Sequence, residues 1–208
     1  MFTGIVTDIG TVAVRDGTTL KIASHYDPAS IALGASIACD GCCLTVTNVE
    51  DSGNGATFEV TVSNETASRT TLGRWIEGTR VNLERSLSVG SELGGHLMTG
   101  HIDGLARIVE RTPDGESTRF VLEAPAEFAQ FIAAKGSVAL NGASLTVNAV
   151  EGHRFGVNII PYTVTHTTWG DRKAGDLVNL EVDLLARYVE RIATGRFAAS
   201  RALPEQDR

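Results

Sequence analysis

The sequence has few cysteines, and they lie in one short segment. Cys39, Cys42 and Cys43 are the only ones in 208 residues. An odd number packed together is not the pattern of a secreted domain held by disulfides. We therefore expect reduced thiols.

Long apolar runs and basic clusters are also missing. No run approaches the roughly 18 apolar residues of a membrane-spanning helix, and the first residues lack the basic stretch of a signal peptide. The net charge is −7, and no run of Lys or Arg is present to bind a phosphate backbone. The composition predicts a cytoplasmic protein with neither nucleic acid nor a membrane as a partner.

Glycine and β-branched residues are abundant instead, and they recur in a duplicated pattern. Residues 35–49 and 136–150 share Gly-x-x-Leu-Thr-Val. Further matched blocks are 58–73 with 155–170, 78–84 with 175–181, and Thr3-Gly4 with Thr99-Gly100. Two long copies indicate two homologous domains, since a solenoid needs three or more shorter repeats.

The repeat defines the predicted domains. The first covers residues 1–90 and the second 95–182, with a linker rich in Gly and Ser between them. A helix is predicted over residues 183–199, and residues 200–208 are predicted to form a mobile tail.

Each domain is predicted to consist of short strands. Gly41 and Gly142 each follow Asp or Asn between two apolar runs, which is the signal of a two-residue hairpin. Because closure removes unpaired strand edges, these features favour a small closed barrel in each half. An open sandwich is the alternative.

The segment after the second copy has no counterpart in the first. Helical periodicity gives it an apolar stripe. The stripe consists of Leu184, Leu185, Tyr188, Val189 and Ile192. We expect this stripe to pack either on its own barrel or on another subunit.

Two familiar patterns are present only in part. Cys39-x-x-Cys42 has the spacing of a zinc or redox site, but the second copy has no cysteine at these positions. Ser144 lacks the second glycine of a nucleophile elbow, because Thr146 stands there. We expect neither a metal site nor a serine hydrolase.

Cys43 and Ser144 are equivalent positions, and each precedes Leu-Thr-Val. Strand periodicity places Thr45 and Thr146 on the same face as these residues. They could line a polar pocket for a flat heterocycle, or they could be small residues tolerated on a half-buried strand.

Two histidines lie in the glycine-rich segment that opens the second copy. His96 and His101 are five residues apart, unlike the i, i+4 pair of a zinc protease. His101 stands where the first copy has Ile5, so the fold does not require it. Its imidazole could exchange protons, or it could be a solvated loop residue.

Four stretches together carry a family pattern. They are Met1-Phe-Thr-Gly-Ile-Val6, Gly41-Cys-Cys-Leu-Thr-Val46, Gly94-Gly-His-Leu-Met-Thr-Gly-His101 and Ser144-Leu-Thr-Val147. In them the chain resembles the riboflavin synthase family of the α-subunit type. The resemblance implies an all-β fold of two homologous six-stranded Greek-key barrels plus a C-terminal α-helix that helps to assemble a homotrimer.

The resemblance also implies a reaction. Two molecules of 6,7-dimethyl-8-ribityllumazine exchange a four-carbon unit and give riboflavin and 5-amino-6-ribitylaminouracil, with no metal or redox cofactor. The resemblance further implies that one active site is formed by the N-terminal barrel of one subunit and the C-terminal barrel of its neighbour. The main alternative is a non-catalytic antenna protein that binds lumazine or flavin.

The positions that match the family give the candidate site residues. Those for proton handling and for stabilising the adduct are His101, Ser144, Cys43, Asp183 and Lys135. Those for substrate binding are Thr3, Gly4, Val6, Ser36, Thr45, Glu65, Thr66, Gly100, Ile102, Thr146, Ile160, Tyr162 and Thr163. The base is either His101 or a ring-bound hydroxide steered by Ser144 and Cys43. For Asp183 a helix N-cap is the alternative role.

The two copies differ within one matched block. Tyr162 replaces Glu65, His166 replaces Arg69, and Trp169 replaces Leu72. These differences agree with distinct roles for the two substrate molecules, and drift after duplication would look the same.

Overall fold

The structure, a computed structural model, describes residues 1–201, with side chains as far as residue 195. The N-terminal half contains β1 (Asp8–Asp16), β2 (Thr19–Ser24), β3 (Ser36–Cys39), β4 (Cys42–Asp51), β5 (Ala56–Thr61), α1 (Asn64–Arg69) and β6 (Arg80–Arg85). The C-terminal half contains β7 (Gly104–Asp114), β8 (Ser117–Glu123), α2 (Ala126–Ala129), β9 (Ser137–Leu140), β10 (Ala143–Glu151), β11 (Arg154–Ile159), α3 (Pro161–His166), β12 (Leu177–Val182) and α4 (Leu184–Arg201). Short 3-10 turns lie at Pro28–Ser30, Thr71–Arg74 and Thr168–Asp171.

Each half closes into a six-stranded antiparallel barrel. The N-terminal barrel has the order β1-β2-β5-β4-β3-β6, and the C-terminal barrel repeats it as β7-β8-β11-β10-β9-β12. The return of β6 beside β3, and of β12 beside β9, makes each barrel a Greek key. The predicted fold class is confirmed, and the open sandwich is wrong.

Side-chain alternation gives each barrel its own core. In β4, Leu44 and Val46 are buried, whereas Cys43 is half-buried and Thr45 is exposed on the outer face. In the C-terminal barrel the Trp169 ring packs edge-on against Phe120, with 4.9 Å between ring centroids. The apolar face of each barrel wall therefore points inward, and the side chains of Cys43 and Thr45 lie on its outer side.

The barrels meet at their equivalent hairpin turns. Asp40-Gly41 and Asn141-Gly142 have positive φ at both residues, which is the geometry of a type I′ turn. A Cβ on Gly41 would lie 2.7 Å from the Gly142 nitrogen, so the two turns can touch only because both residues are glycine. The predicted hairpins are confirmed.

Two buried asparagines join the barrels around these turns. Asn82 donates to the Asn141 carbonyl at 2.8 Å and accepts the Thr168 N–H at 2.7 Å. Asn179 makes the equivalent bonds to the Asp40 carbonyl at 2.9 Å and to the Thr71 N–H at 2.8 Å. Because each buried amide is satisfied by the opposite barrel, the pair fixes the barrels against each other.

The predicted C-terminal helix is present. Asp183 precedes it, and its carboxylate accepts the Leu185 N–H at 2.8 Å, as expected of an N-cap. Leu185, Tyr188, Val189 and Ile192 are 56–70% exposed, so this part of the stripe does not pack on its own barrel, whereas Leu184 at the start of the helix is half-buried. Residues 200 and 201 continue α4, and the rest of the predicted tail lies outside the described residues. Within residues 1–201 no helix is long and apolar enough to cross a membrane.

Candidate functional site

The chain crosses from one barrel to the other at the start of each half. We call residues 3–7 the first crossing segment and residues 99–103 the second. Ser144 N donates to the Gly4 carbonyl at 2.9 Å, and Cys43 N donates to the Gly100 carbonyl at 2.9 Å. The first crossing segment therefore lies on the C-terminal barrel, and the second lies on the N-terminal barrel.

Close packing at the two glycines explains their place in the repeat. A Cβ on Gly4 would lie 2.5 Å from the Ser144 Cβ, and a Cβ on Gly100 would lie 2.5 Å from the Cys43 Cβ. Both glycines have φ near 78°, the left-handed region. No larger residue fits while the segment keeps its contact with the strand.

A buried glutamate fixes the start of each crossing segment. Glu84 accepts the Thr3 N–H at 2.6 Å, the Thr3 hydroxyl at 2.7 Å and the Gly4 N–H at 2.9 Å. Glu181 repeats these bonds with Thr99 and Gly100 at 2.7–3.0 Å. Burial raises the pKa of both glutamates, and the bonds to Thr and Gly oppose that rise.

The N-terminal barrel pocket is a cavity of about 380 Å³ beside the second crossing segment. It is lined by Cys42, Cys43, Glu65, Thr66, Arg69, Thr70, Gly100, His101, Ile102 and Asp103. Two of the candidate catalytic residues, Cys43 and His101, thus share one cavity wall with four of the candidate binding residues. Ser36 and Thr45 are cross-strand partners on the same barrel.

The cavity that we call the C-terminal barrel pocket has a volume of about 710 Å³ and adjoins the first crossing segment, α3 and the strands β1 and β6 of the N-terminal barrel. Ser144 and Thr146 do not line it. It is lined by Ile5, Val6, Thr7, Asp8, Ile9, Thr11, His25, Arg80, Tyr162, Thr165 and His166. Val6 and Tyr162 are candidate binding residues that line it. Thr163 belongs to the same helix, α3, and Ile160 directly precedes that helix.

The two pocket helices carry different side-chain pairs at equivalent positions. On α1, Arg69 Nε donates to Glu65 Oε1 at 3.0 Å. On α3, the Tyr162 and His166 rings are stacked, with 3.9 Å between centroids and 14° between planes. The first pocket therefore has an ion pair at its wall, and the second has an aromatic surface.

Ser144 has a histidine partner that the sequence did not reveal. Its Oγ is hydrogen bonded to His96 Nδ1 at 2.7 Å, and His96 is only 9% exposed. Burial lowers the pKa of His96 and the charge of Asp183 opposes that shift, so the imidazole is neutral at pH 7. His96 Nε2 is buried without a hydrogen-bond partner among residues 1–201. A neutral imidazole bonded to a hydroxyl can accept its proton.

Lys135 and Asp183 line neither cavity of the single chain. Lys135 is exposed in the turn before β9, where its φ of 68° matches the positive φ of Gly34 in the first copy. Asp183 is close enough to His96 to affect its pKa. Both remain candidate residues, with Asp183 near the Ser144–His96 pair.

Cys39 and Cys42 point into the N-terminal barrel core. Burial raises the pKa of Cys42 to about 12, and the pKa of Cys39 is shifted in the same direction. Both are therefore thiols at neutral pH and poor metal ligands. The described part of the chain contains no cluster of three or more His, Cys, Asp or Glu side chains that could hold a metal ion.

Comparison with known proteins agrees with the duplicated architecture. The model of the lumazine binding domain matches residues 3–86 and again residues 99–183. A riboflavin synthase from Brucella abortus (strain 2308) is 54% identical over 198 residues, which covers 93% of this chain and 98% of the relative. The chain belongs to the riboflavin synthase family. A further riboflavin synthase, from Mycobacterium tuberculosis (strain H37Rv), is 42% identical over 199 residues, which covers 92% of this chain and 98% of that relative.

Solved structures share the fold of this riboflavin synthase family member. LumP complexed with 6,7-dimethyl-8-(1'-D-ribityl) lumazine superposes with a TM-score of 0.74 at 21% identity. LumP complexed with riboflavin gives 0.75 at 24% identity. Each alignment covers 88% of this chain and 99% of the other. At such identity the likeness establishes the two-barrel architecture and not the activity.

Proposed function

We propose that the protein converts two molecules of 6,7-dimethyl-8-ribityllumazine into riboflavin and 5-amino-6-ribitylaminouracil by transfer of a four-carbon unit. The observation that carries the proposal is a repeated arrangement. Each crossing segment is hydrogen bonded to a strand of the opposite barrel, Gly100 to Cys43 and Gly4 to Ser144, and each lines a cavity together with the equivalent helix, α1 or α3. A duplicated pocket suits a reaction between two identical molecules. The 54% identity to a riboflavin synthase supports the same assignment.

Positioning supplies the main part of the catalysis. Holding two reactants in a fixed mutual geometry makes their reaction effectively unimolecular, which is worth roughly 7–11 kcal/mol when the alignment is good. The crossing segments that form part of the pocket walls are held in place, because the buried carboxylates of Glu84 and Glu181 accept hydrogen bonds from Thr3 and Thr99 at the start of each segment.

The chemistry requires a base for one ring and a nucleophile for the other. Removal of a proton from the C7 methyl group leaves an anion delocalised into the first ring, and a nucleophile adds at C7 of the second ring. We assign the base to His101 in the N-terminal barrel pocket. We assign the steering of the nucleophile to Ser144, supported by neutral His96.

The two cavities of one chain share no lining residue. The cavities of one chain therefore have separate walls. This supports a composite site in which the N-terminal barrel pocket of one subunit meets the C-terminal barrel pocket of another. The exposed stripe of α4 supports the homotrimer that such sites require. The three free cysteines support a cytoplasmic location.

The test is to supply the purified full chain with the dimethyl-ribityllumazine alone. We expect riboflavin and the pyrimidine in equal amounts, with no added metal or nicotinamide and with no loss of rate after treatment with a chelator. Tight binding of the lumazine without product would favour the antenna alternative.

A further inference from the structure

The second crossing segment is held at both ends. Glu181 binds its start, and Asp103 closes its end. The Asp103 side chain is 7% exposed, one oxygen accepts the Val182 N–H at 2.9 Å, and the other is paired with the Arg187 guanidinium of α4. His101 lies between these two anchors.

Arg187 is placed by the start of α4. Its N–H donates to the Asp183 carbonyl at 3.2 Å, so it lies one turn after the N-cap. The neighbouring stripe residues Leu185, Tyr188 and Val189 face away from the barrel and are exposed. One short helical turn therefore carries both the contact to the pocket wall and the surface available to a second copy.

Within the described residues, the end of the first crossing segment has no ion pair equivalent to that of Asp103 with Arg187. Thr7 stands at the position of Asp103, and its hydroxyl is hydrogen bonded to the Tyr26 hydroxyl at 2.6 Å. After β6 the chain continues into a linker, whereas after β12 it enters α4. The barrel fold therefore does not require the Asp103–Arg187 pair, which occurs in the copy that carries His101.

We propose that Arg187 is a positioning residue that acts through Asp103: the pair holds His101 in the wall of the N-terminal barrel pocket and connects that wall to α4. The role of His101 in catalysis rests on the proposed function, but the mechanical connection does not. Removing the guanidinium leaves a buried carboxylate without its counter-charge, and such a group moves towards water. The second crossing segment moves with it.

The direct test is hydrogen exchange on the full-length Arg187→Gln variant. We expect the amides of residues 101–103 to exchange at least about five-fold faster than in the wild type, because their segment opens locally more often. The amides of residues 5–7 in the first crossing segment are the internal control, and we expect no change there. Asp103→Asn should give the same pattern.

The functional test separates positioning from assembly. We expect Arg187→Gln to lower kcat about ten-fold, with KM changed less than about three-fold, because a displaced base reduces turnover more than ring binding. Sedimentation should show an unchanged oligomer, since the apolar stripe is intact. Arg187→Lys should recover part of the rate. The matched control is Arg191→Gln, which removes a positive charge one turn further along α4 and should leave the rate unaltered.

The double variant Asp103→Asn with Arg187→Gln completes the experiment. If the two residues form one connection, its loss of rate equals that of either single variant. Unchanged exchange at residues 101–103 in Arg187→Gln would overturn the proposal, as would a loss of activity that follows dissociation into monomers. A wild-type protein that makes no riboflavin would contradict the proposed function, and the exchange result would still decide the connection.

Discussion

At the residue scale, the two halves carry different side chains at some positions where the backbone conformation and the hydrogen bonds are the same. Asp40 and Asn141 occupy equivalent turn positions, and each side chain accepts a backbone N–H from its own barrel, at 2.8 Å and 2.7 Å. Only Asp40 adds a charge, which lies 3.8 Å from Arg172 of the other barrel. Arg172 stands where the first copy has Trp75. A charged contact between the barrels is therefore present at only one of the two equivalent turns.

The first prediction concerns the pH dependence of stability at Asp40. Burial raises its pKa from the ordinary value of 3.8 to about 6, and Arg172 only partly opposes this. Since the folded state binds the proton more tightly than the unfolded state, the contribution of Asp40 to stability is present below about pH 4 and is lost as the pH rises to about 6. Asp40→Asn should remove this slope from a plot of Tm against pH.

At pH 8 we expect Asp40→Asn to be more stable than the wild type by about 1–3 kcal/mol, because it no longer buries a charge. Asn141→Asp is the matched variant, and it should be less stable than the wild type above pH 6. A wild-type Tm that rises between pH 4 and pH 6 in a way that depends on Asp40 would contradict the prediction.

The second prediction concerns the Ser144–His96 pair. Ser144→Ala and His96→Gln should each lower kcat by about a hundred-fold, since each removes one partner of the hydrogen bond that we propose to steer the nucleophile. The double variant should be no slower than the singles, because the two side chains act as a unit. Steady-state kinetics on variants with unchanged circular dichroism measures this, and additive losses would indicate independent roles.

At the scale of elements, the pockets depend on short segments that leave their own barrel. Each crossing segment is fixed by a buried glutamate and by a glycine pressed against a strand of the other barrel. The helices α1 and α3 then complete the walls with an ion pair in one copy and stacked rings in the other. The duplicated scaffold is therefore kept while the surfaces offered to the two substrate molecules differ.

The third prediction concerns the approach of a crossing segment to its strand. Gly100→Ala places a Cβ 2.5 Å from the Cys43 Cβ at a φ of 77°, so the second crossing segment must move. We expect a loss of activity of about a hundred-fold and a loss of stability of about 1–3 kcal/mol.

The control for this variant is Gly17→Ala. Gly17 also has a positive φ, 56°, but a Cβ there would meet nothing within 4 Å. The Gly17→Ala variant should have a lower free energy of unfolding than the wild type because of backbone strain, and its rate per folded molecule should be unchanged. Equal losses of activity in Gly17→Ala and Gly100→Ala would show that strain alone, and not displacement of the pocket wall, is responsible.

At the scale of the whole molecule, the two barrels are joined to each other, whereas the last helix exposes apolar side chains to solvent. The asparagine pair and the facing glycine turns join the two barrels of one chain. The two pockets of that chain share no lining residue. In the apolar stripe of α4, the side chains of Leu185, Tyr188, Val189 and Ile192 are exposed and do not pack on the barrels of their own chain. Both features favour an assembly in which the working site lies between subunits.

The fourth prediction concerns that assembly. Removal of residues 183–208 should give folded monomers with little activity, because the truncation removes the stripe that we propose to join the subunits and leaves both barrel cores intact. Val189→Glu should have the same effect while keeping Arg187 and its contact. Sedimentation and the lumazine assay measure both, and full activity in a monomeric truncation would refute the composite site.

The sequence by itself determined the duplication, the all-β class, the two-residue hairpins at Gly41 and Gly142, and the start of the last helix at Asp183. These features depend on periodicity and turn chemistry within a few residues. The family resemblance then supplied candidate residues such as Cys43, Thr66 and His101, which the structure brings to one pocket.

Only the tertiary structure decided which half completes which pocket. The contacts of Gly4 with Ser144, of His96 with Ser144, and of Arg187 with Asp103 join residues that are 48 to 140 positions apart. No local pattern records such pairs, because they depend on how two closed barrels pack and on where the chain passes between them. The sequence left the apolar stripe of α4 with two alternatives, and only the structure shows that Leu185, Tyr188, Val189 and Ile192 do not pack on their own barrels. Helical periodicity defines an apolar face, but the surface that this face meets depends on how the helix packs.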